Sequence, residues 1–176
     1  MIIDNIKLVD LGSHLYLRFQ DLYGRSFPIF EQRTNEQQRA AFESDYYNLS
    51  IYSEGGVFVG FISYWEFKDY RYIEHFAIDD QLRGKGYGTK LLKSFVASDS
   101  RQVILEIDPI IDDLSAARLR FYESCGFCIN SYQHTHPPYR EGYDPHSLVI
   151  LSSFEMVCKD RYSRFVLDLE GIVMAF

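Results

Sequence analysis

Gln81-Leu82-Arg83-Gly84-Lys85-Gly86-Tyr87-Gly88-Thr89-Lys90 is the stretch that decides how this chain is read. It follows a strand-like run, Tyr72-Ile73-Glu74-His75-Phe76-Ala77-Ile78, and precedes an amphipathic run, Leu91-Leu92-Lys93-Ser94-Phe95-Val96. A strand, a glycine-rich turn and a helix start together make a cradle for a phosphate. Glycine allows positive φ and close approach of the backbone to a ligand. Amides at the helix N-terminus then point at the anion, with the helix dipole behind them.

Upstream of the turn, residues 47–53 alternate and Glu54-Gly55-Gly56 makes a tight turn. Residues 57–67 are a long run rich in Val, Phe, Tyr and Trp, and Lys68-Asp69 turns it into residues 70–78. Connections this short predict an antiparallel meander. Earlier, residues 6–11 read as a first strand. Residues 15–23 have helical spacing until Gly24 and Pro28 break it, and Thr34 is an N-cap for a helix over 35–44. Downstream come a helix over 86–98, a short strand over 103–107 ended by Pro109, and a helix over 114–124 ended by Gly126. Strands over 127–132 and 147–152 follow, separated by a loop rich in Pro, Tyr and His, and then a C-terminal helix over 154–169. The pattern predicts an α+β domain, a mixed central sheet with helices on its faces. A length of 176 residues suits one domain, 1–176.

With 25 Asp and Glu against 18 Lys and Arg, the net charge of −7 argues against a nucleic-acid surface and is compatible with an amine-bearing substrate. No apolar run approaches the roughly 18 residues of a membrane span. Met1-Ile2-Ile3-Asp4-Asn5 lacks the basic start and apolar block of a signal peptide, so a cytoplasmic location is expected. Three cysteines, Cys125, Cys128 and Cys158, do not suggest a disulfide scaffold.

Three phosphate loops compete for the glycine turn. A P-loop ends in Gly-Lys-Ser/Thr, whereas here the order is Gly88-Thr89-Lys90, which rejects it. The dinucleotide fingerprint fits Gly84 and Gly86, with Glu106 near the expected acid position. Thr89 stands where its third glycine belongs, however, and the preceding meander is not the βαβ unit it needs. The third pattern is Arg-x-x-Gly-x-Gly at Arg83, Gly86 and Gly88.

With that turn, the strand ending Phe76-Ala77-Ile78-Asp79, and the helix ending Arg120-Phe121-Tyr122-Glu123-Ser124-Cys125-Gly126-Phe127, residues 6–152 resemble the GNAT N-acetyltransferase superfamily. The resemblance implies the acyl-CoA N-acyltransferase fold, with a mostly antiparallel, splayed sheet and a C-terminal helical extension over 153–176. It implies acetyl-CoA as co-substrate and an amine of a small molecule or protein as acceptor. A non-catalytic acyl-CoA sensor on the same fold is the rival. By the resemblance, the pyrophosphate is held by Arg83, Gly84, Lys85, Gly86, Tyr87, Gly88 and Thr89, and the pantetheine arm lies along Phe76, Ala77 and Ile78. Tyr122 matches the family's tyrosine that protonates the departing thiolate, a role a phenol can fill. Ser115 stands where the family often has Asn, and Arg118 where it often has a small residue.

Acetyl transfer also needs a base. Glu74 is the candidate, placed by strand alternation on one face with Tyr72, Phe76 and Ile78, with His75 opposite as a structural histidine. His136, Tyr139 and Arg140, in the loop before the last strand, are the candidate acceptor contacts, and Arg140 hints at a carboxylate on the acceptor. Cys125 and Cys128, with His134 and His136, have the residue types of a zinc site. Cys125 ends a helix, where the dipole disfavours a thiolate, and buried cysteine is commonly a small hydrophobe, so no metal is expected. The segment beyond residue 152 could cover the sheet or pair with a second copy.

Overall fold

The computed structural model describes residues 3–8 and 10–175. Its strands are β1 (Asp4–Lys7), β2 (Tyr47–Glu54), β3 (Val57–Glu66), β4 (Tyr70–Ile78), β5 (Gln102–Ile107), β6 (Phe127–Ile129), β7 (His134–His136) and β8 (His146–Ser153). Its helices are α1 (His14–Ser26), α2 (Asn35–Glu43), α3 (Tyr87–Ala97), α4 (Asp113–Ser124) and α5 (Lys159–Asp168). The sheet order is β1-β2-β3-β4-β5-β8-β6, with β7 paired to β8. Among the described residues only β4–β5 is parallel. That pairing stops at Ile73–Leu105, while β5 goes on pairing with β8 as far as Ile107. The end of β4 therefore parts from β5 while staying paired to β3, and opens a wedge between β4 and β5, the splay implied by the resemblance.

Two apolar layers sandwich the sheet. Phe19, Leu22 and Tyr23 of α1 pack with Phe61, Trp65, Tyr70 and Tyr72 on one face. Leu91, Leu92, Phe95 and Val96 of α3 pack with Ile62, Ile73, Val103 and Leu105 on the other. The layers assign β4 side chains differently from simple alternation. His75 pairs with Ser63, yet Ile73 pairs with Tyr64, so Glu74 is an extra residue, a β-bulge. After the bulge the phase flips. Glu74 and His75 both face the α1 side, against Arg33, Trp65 and Tyr23, while Phe76 and Ile78 face α3 and α4. The expectation that Glu74 shares a face with Phe76 and Ile78, and that His75 lies opposite, is corrected accordingly.

Element ends also differ from their sequence reading. The first strand is β1, over 4–7, and Val9 of the expected strand lies outside the described residues. Helix α1 runs through Gly24 and stops at Phe27, ahead of Pro28. Strand β6 is shorter than expected, and part of the supposed loop pairs as β7. Helix α5 begins at Lys159 rather than residue 154. The backbone of 155–157 is held by side chains of β5 and of the β6–β7 connection: Gln102 donates to the Glu155 carbonyl, Val157 N–H donates to Asn130 Oδ1, and Tyr132 donates to the Val157 carbonyl. Those bonds exclude a helical ladder there. Phe165, Leu169 and Val173 then bury against the α1 face, so these apolar residues are used within the chain.

At Gly60, β3 lies close against the backbone of β4. A Cβ at this position would stand 2.3 Å from the Ala77 carbonyl oxygen, a backbone atom with little freedom to move. Gly60→Ala is expected to lower stability by about 1–3 kcal/mol, the usual range for overpacking. The check is the midpoint of urea unfolding, and an unchanged midpoint contradicts the contact.

Candidate active site

The wedge is a cavity of about 900 Å³. Phe76, Ala77 and Ile78 of β4 form one wall, residues 105–108 the other, and Arg118, Phe121 and Tyr122 of α4 close one end. Arg83, Gly84, Gly86, Gly88 and Thr89 line it where α3 begins. Gly86 is the N-cap of α3 at φ 82°, a conformation that favours glycine, and no side chain caps the helix. The first-turn amides are thus left without intrahelical acceptors, which suits them to an anion. Arg83 is pinned by Nε to the Ile78 carbonyl at 3.2 Å and by its guanidinium to Asp80 at 2.8 Å. Neither Lys85 nor Tyr87 lines the cavity. Tyr87 instead donates to Glu54 of β2.

Tyr122 lies in the cavity wall against Phe121 and Phe127, with ring centroids 5.1 and 5.9 Å away. Its hydroxyl makes no hydrogen bond among the described residues. Burial pushes this phenol up to about 12, opposed by Arg118 one turn away, so it holds its proton at neutral pH. Ser115 is not a cavity residue. Its hydroxyl accepts from the Ile111 and Asp112 amides at 3.0 Å and donates to Asp112 Oδ1 at 2.6 Å, as part of the α4 capping box. The expectation that Ser115 contacts the cofactor is corrected on that ground.

Glu74 lines the cavity, but both of its oxygens are engaged. Arg33 donates to Oε1 through Nε at 2.9 Å and pairs with it at 2.8 Å, and Trp65 Nε1 donates to Oε2 at 2.8 Å. Burial alone would raise this carboxyl; Arg33, His75 and Trp65 outweigh it and hold Glu74 below its ordinary value. A carboxylate held in this way is a poor base. His75, lowered by burial, donates from Nε2 to the Glu31 carbonyl at 2.9 Å.

The far end of the cavity holds His136, one of the expected acceptor contacts, together with Glu106, which sequence reasoning did not assign to that end. Glu106 accepts from Tyr72 at 2.5 Å and from His134. His134 Nδ1 meets the Tyr162 hydroxyl of α5 at 3.0 Å. His136 donates from Nδ1 to the Pro137 carbonyl, leaving Nε2 buried without a hydrogen bond, 3.8 Å from Glu106 Oε2. Burial again pushes Glu106 up, and His136, His134 and Tyr72 together bring it below its ordinary value. A lone acid in the apolar run 103–107 was the available signal for Glu106. Tyr139 lines the cavity and stacks on His136 at 4.9 Å, whereas Arg140 does not line it. Arg140 holds the Gln32 and Arg33 carbonyls at 2.9 and 3.2 Å, clamping the α1–α2 loop, so its hint of an acceptor carboxylate is withdrawn. Among the described residues no group of three or more His, Cys, Asp or Glu could hold a metal ion. No helix among them is long and apolar enough to cross a membrane.

A splayed, mostly antiparallel sheet with an uncapped, glycine-led helix beside the wedge is the acyl-CoA N-acyltransferase fold. A family profile described as the acetyltransferase (GNAT) family matches residues 16–127, and the chain belongs to that family. Among solved structures, a protein from Bacteroides thetaiotaomicron assigned to the GNAT acetyltransferases aligns over 100% of this chain and 99% of its own, at 26% identity and TM-score 0.89. A Bacillus subtilis acetyltransferase in complex with CoA aligns over 86% of this chain and 98% of its own, at 15% identity and TM-score 0.60. Arabidopsis thaliana Naa50, in complex with the bisubstrate analogue CoA-Ac-MVNAL, aligns over 87% and 99%, at 17% identity and TM-score 0.63. The last two share the fold. No curated protein matches the sequence.

Proposed function

We propose that this protein is an acetyl-CoA-dependent N-acetyltransferase that passes the acetyl group directly to a primary amine. The observation that carries the reading is the two-ended wedge. One end has bare helix amides and a protonated, unbonded Tyr122, and the other is walled by carboxylates and aromatic rings. On this reading the pyrophosphate sits at the start of α3, with Arg83 beside it, and the pantetheine arm runs along residues 76–78. The amine attacks the thioester carbonyl carbon, the C–S bond breaks, and Tyr122 gives its proton to the thiolate. Glu74 positions Arg33 and the bulge and does not act as the base.

The acceptor end favours an amine carried on a flat or apolar body without a carboxylate. Phe30 neighbours Tyr143 at 6.1 Å and His146 at 6.2 Å, and His136 neighbours His146 at 5.5 Å. Arg118, which closes the cavity on the α4 side, is paired with Asp108. The test is thiol release from acetyl-CoA against arylalkylamines, polyamines, aminoglycosides, peptides and free amino acids. Arylalkylamines are expected to exceed the corresponding amino acids in kcat/KM by at least about ten-fold, the order of discrimination a few pocket contacts supply. Preference for the amino acids contradicts this account of the acceptor end.

A further inference from the structure

Four carboxylates line the cavity: Glu31, Glu74, Glu106 and Asp108. Three are committed, Glu74 to Arg33 and Trp65, Glu106 to Tyr72 and His134, and Asp108 to Arg118. Glu31 has no side-chain hydrogen bond or ion pair among the described residues. Its backbone, by contrast, is fixed. The Glu31 amide donates to the Pro28 carbonyl at 2.9 Å, its carbonyl accepts from His75, and the next residue's carbonyl is held by Arg140. An unengaged carboxylate on a clamped turn, facing the cavity, is poised for a ligand.

We infer that Glu31 is the catalytic base, receiving the acceptor's ammonium group and taking its proton before attack. The inference rests on the N-acetyltransferase reading and deepens it. The ammonium gives one proton to Glu31, which releases it to solvent. The nitrogen forms its bond to the acetyl carbon, the C–S bond breaks, and Tyr122 protonates the thiolate. The second proton lost by nitrogen restores Tyr122 through solvent. The products are an amide, CoA thiol and one proton.

The charged and titratable groups around Glu31 agree with this role. Asp108 at the end of β5 repels a negative charge there, Arg118 on α4 attracts one, and His75 on β4 meets its carbonyl. His146 on β8 lies beyond Phe30. Burial is the largest influence and Asp108 adds to it. Together they raise the Glu31 carboxyl to about 7, suited to accepting a proton near neutrality. Because the ionised form is the active one, activity falls as pH drops through that value.

The test is kcat/KM against pH for an accepted amine, in the wild type, Glu31→Gln and Glu31→Asp, with heat protection by acetyl-CoA measured on each. Glu31→Gln is expected to lose roughly 10²-fold or more and the acid limb near neutrality, while keeping its protection by acetyl-CoA. Glu31→Asp is expected to restore part of the rate and keep a limb. Any limb that remains in Glu31→Gln belongs to the amine itself. Wild-type turnover with an unchanged rate and limb in Glu31→Gln overturns the role of Glu31 alone. A wild type that is protected by acetyl-CoA yet acetylates no amine overturns the functional reading, and this inference with it.

Discussion

Arg33→Ala is expected to destabilise the protein by about 3–5 kcal/mol, the usual cost of leaving one member of a buried ion pair without its partner. The two side chains are 2% and 1% exposed. Arg33 lies between the rings of Trp65 and Tyr139, 5.5 and 5.6 Å from their centroids, and donates to the Val173 carbonyl at 2.6 Å. Its loss thus strands the Glu74 carboxylate, uncaps the C-terminal turn and empties a slot between aromatics. The pH dependence carries the signature. In the wild type Glu74 is held below 4.5, so its stabilising contribution is present above that value and lost as pH falls below it. In Arg33→Ala, burial without the cation raises the same carboxyl, so protonation relieves the variant and its deficit narrows on acidification. Urea unfolding from neutral to mildly acid pH measures this. A deficit below about 1 kcal/mol, typical of an exposed pair, contradicts the description.

Tyr122→Phe is expected to lower kcat by about 10²–10⁴-fold, the range for losing a positioned general acid. The change removes one oxygen and leaves the packing on Phe121 and Phe127. Because the hydroxyl has no partner among the described residues, its loss strands no buried donor or acceptor. Stability should therefore hold within about 0.5 kcal/mol and acetyl-CoA should still protect against heat, separating chemistry from folding. A loss smaller than about three-fold would make Tyr122 a packing residue.

The features legible in the sequence were those written locally. Two-residue turns at Gly55-Gly56 and Lys68-Asp69 dictated the meander from β2 to β4. The glycines at 84, 86 and 88 marked the start of α3, and Tyr122 with Gly126-Phe127 marked the end of α4. What stayed hidden depends on residues far apart in the chain. Both faces of β4 are buried, so no polar alternation betrays the extra residue at Glu74. Arg33 precedes an N-cap threonine and reads as a surface residue, while its partner is 41 residues away. His134 and Glu106 are 28 apart, and Tyr162 a further 28 beyond His134. Glu31 has no motif at all. It matters because its neighbours in space, Asp108 and Arg118, come from the loop that follows β5 and from α4 on the other side of the wedge. The supposed start of the last helix at Phe154 failed for a related reason, since side chains of β5 and of the β6–β7 connection hold the following backbone.

The most direct test of the central claim is the amount of N-acetylated amine formed for each CoA thiol released by the wild type, measured by mass spectrometry beside a thiol assay. Direct transfer in the β4–β5 wedge predicts one acetylated amine per thiol, with both products lost together in Tyr122→Phe. Thiol release without acetylated amine, or protection by acetyl-CoA with neither product from any amine, would contradict it.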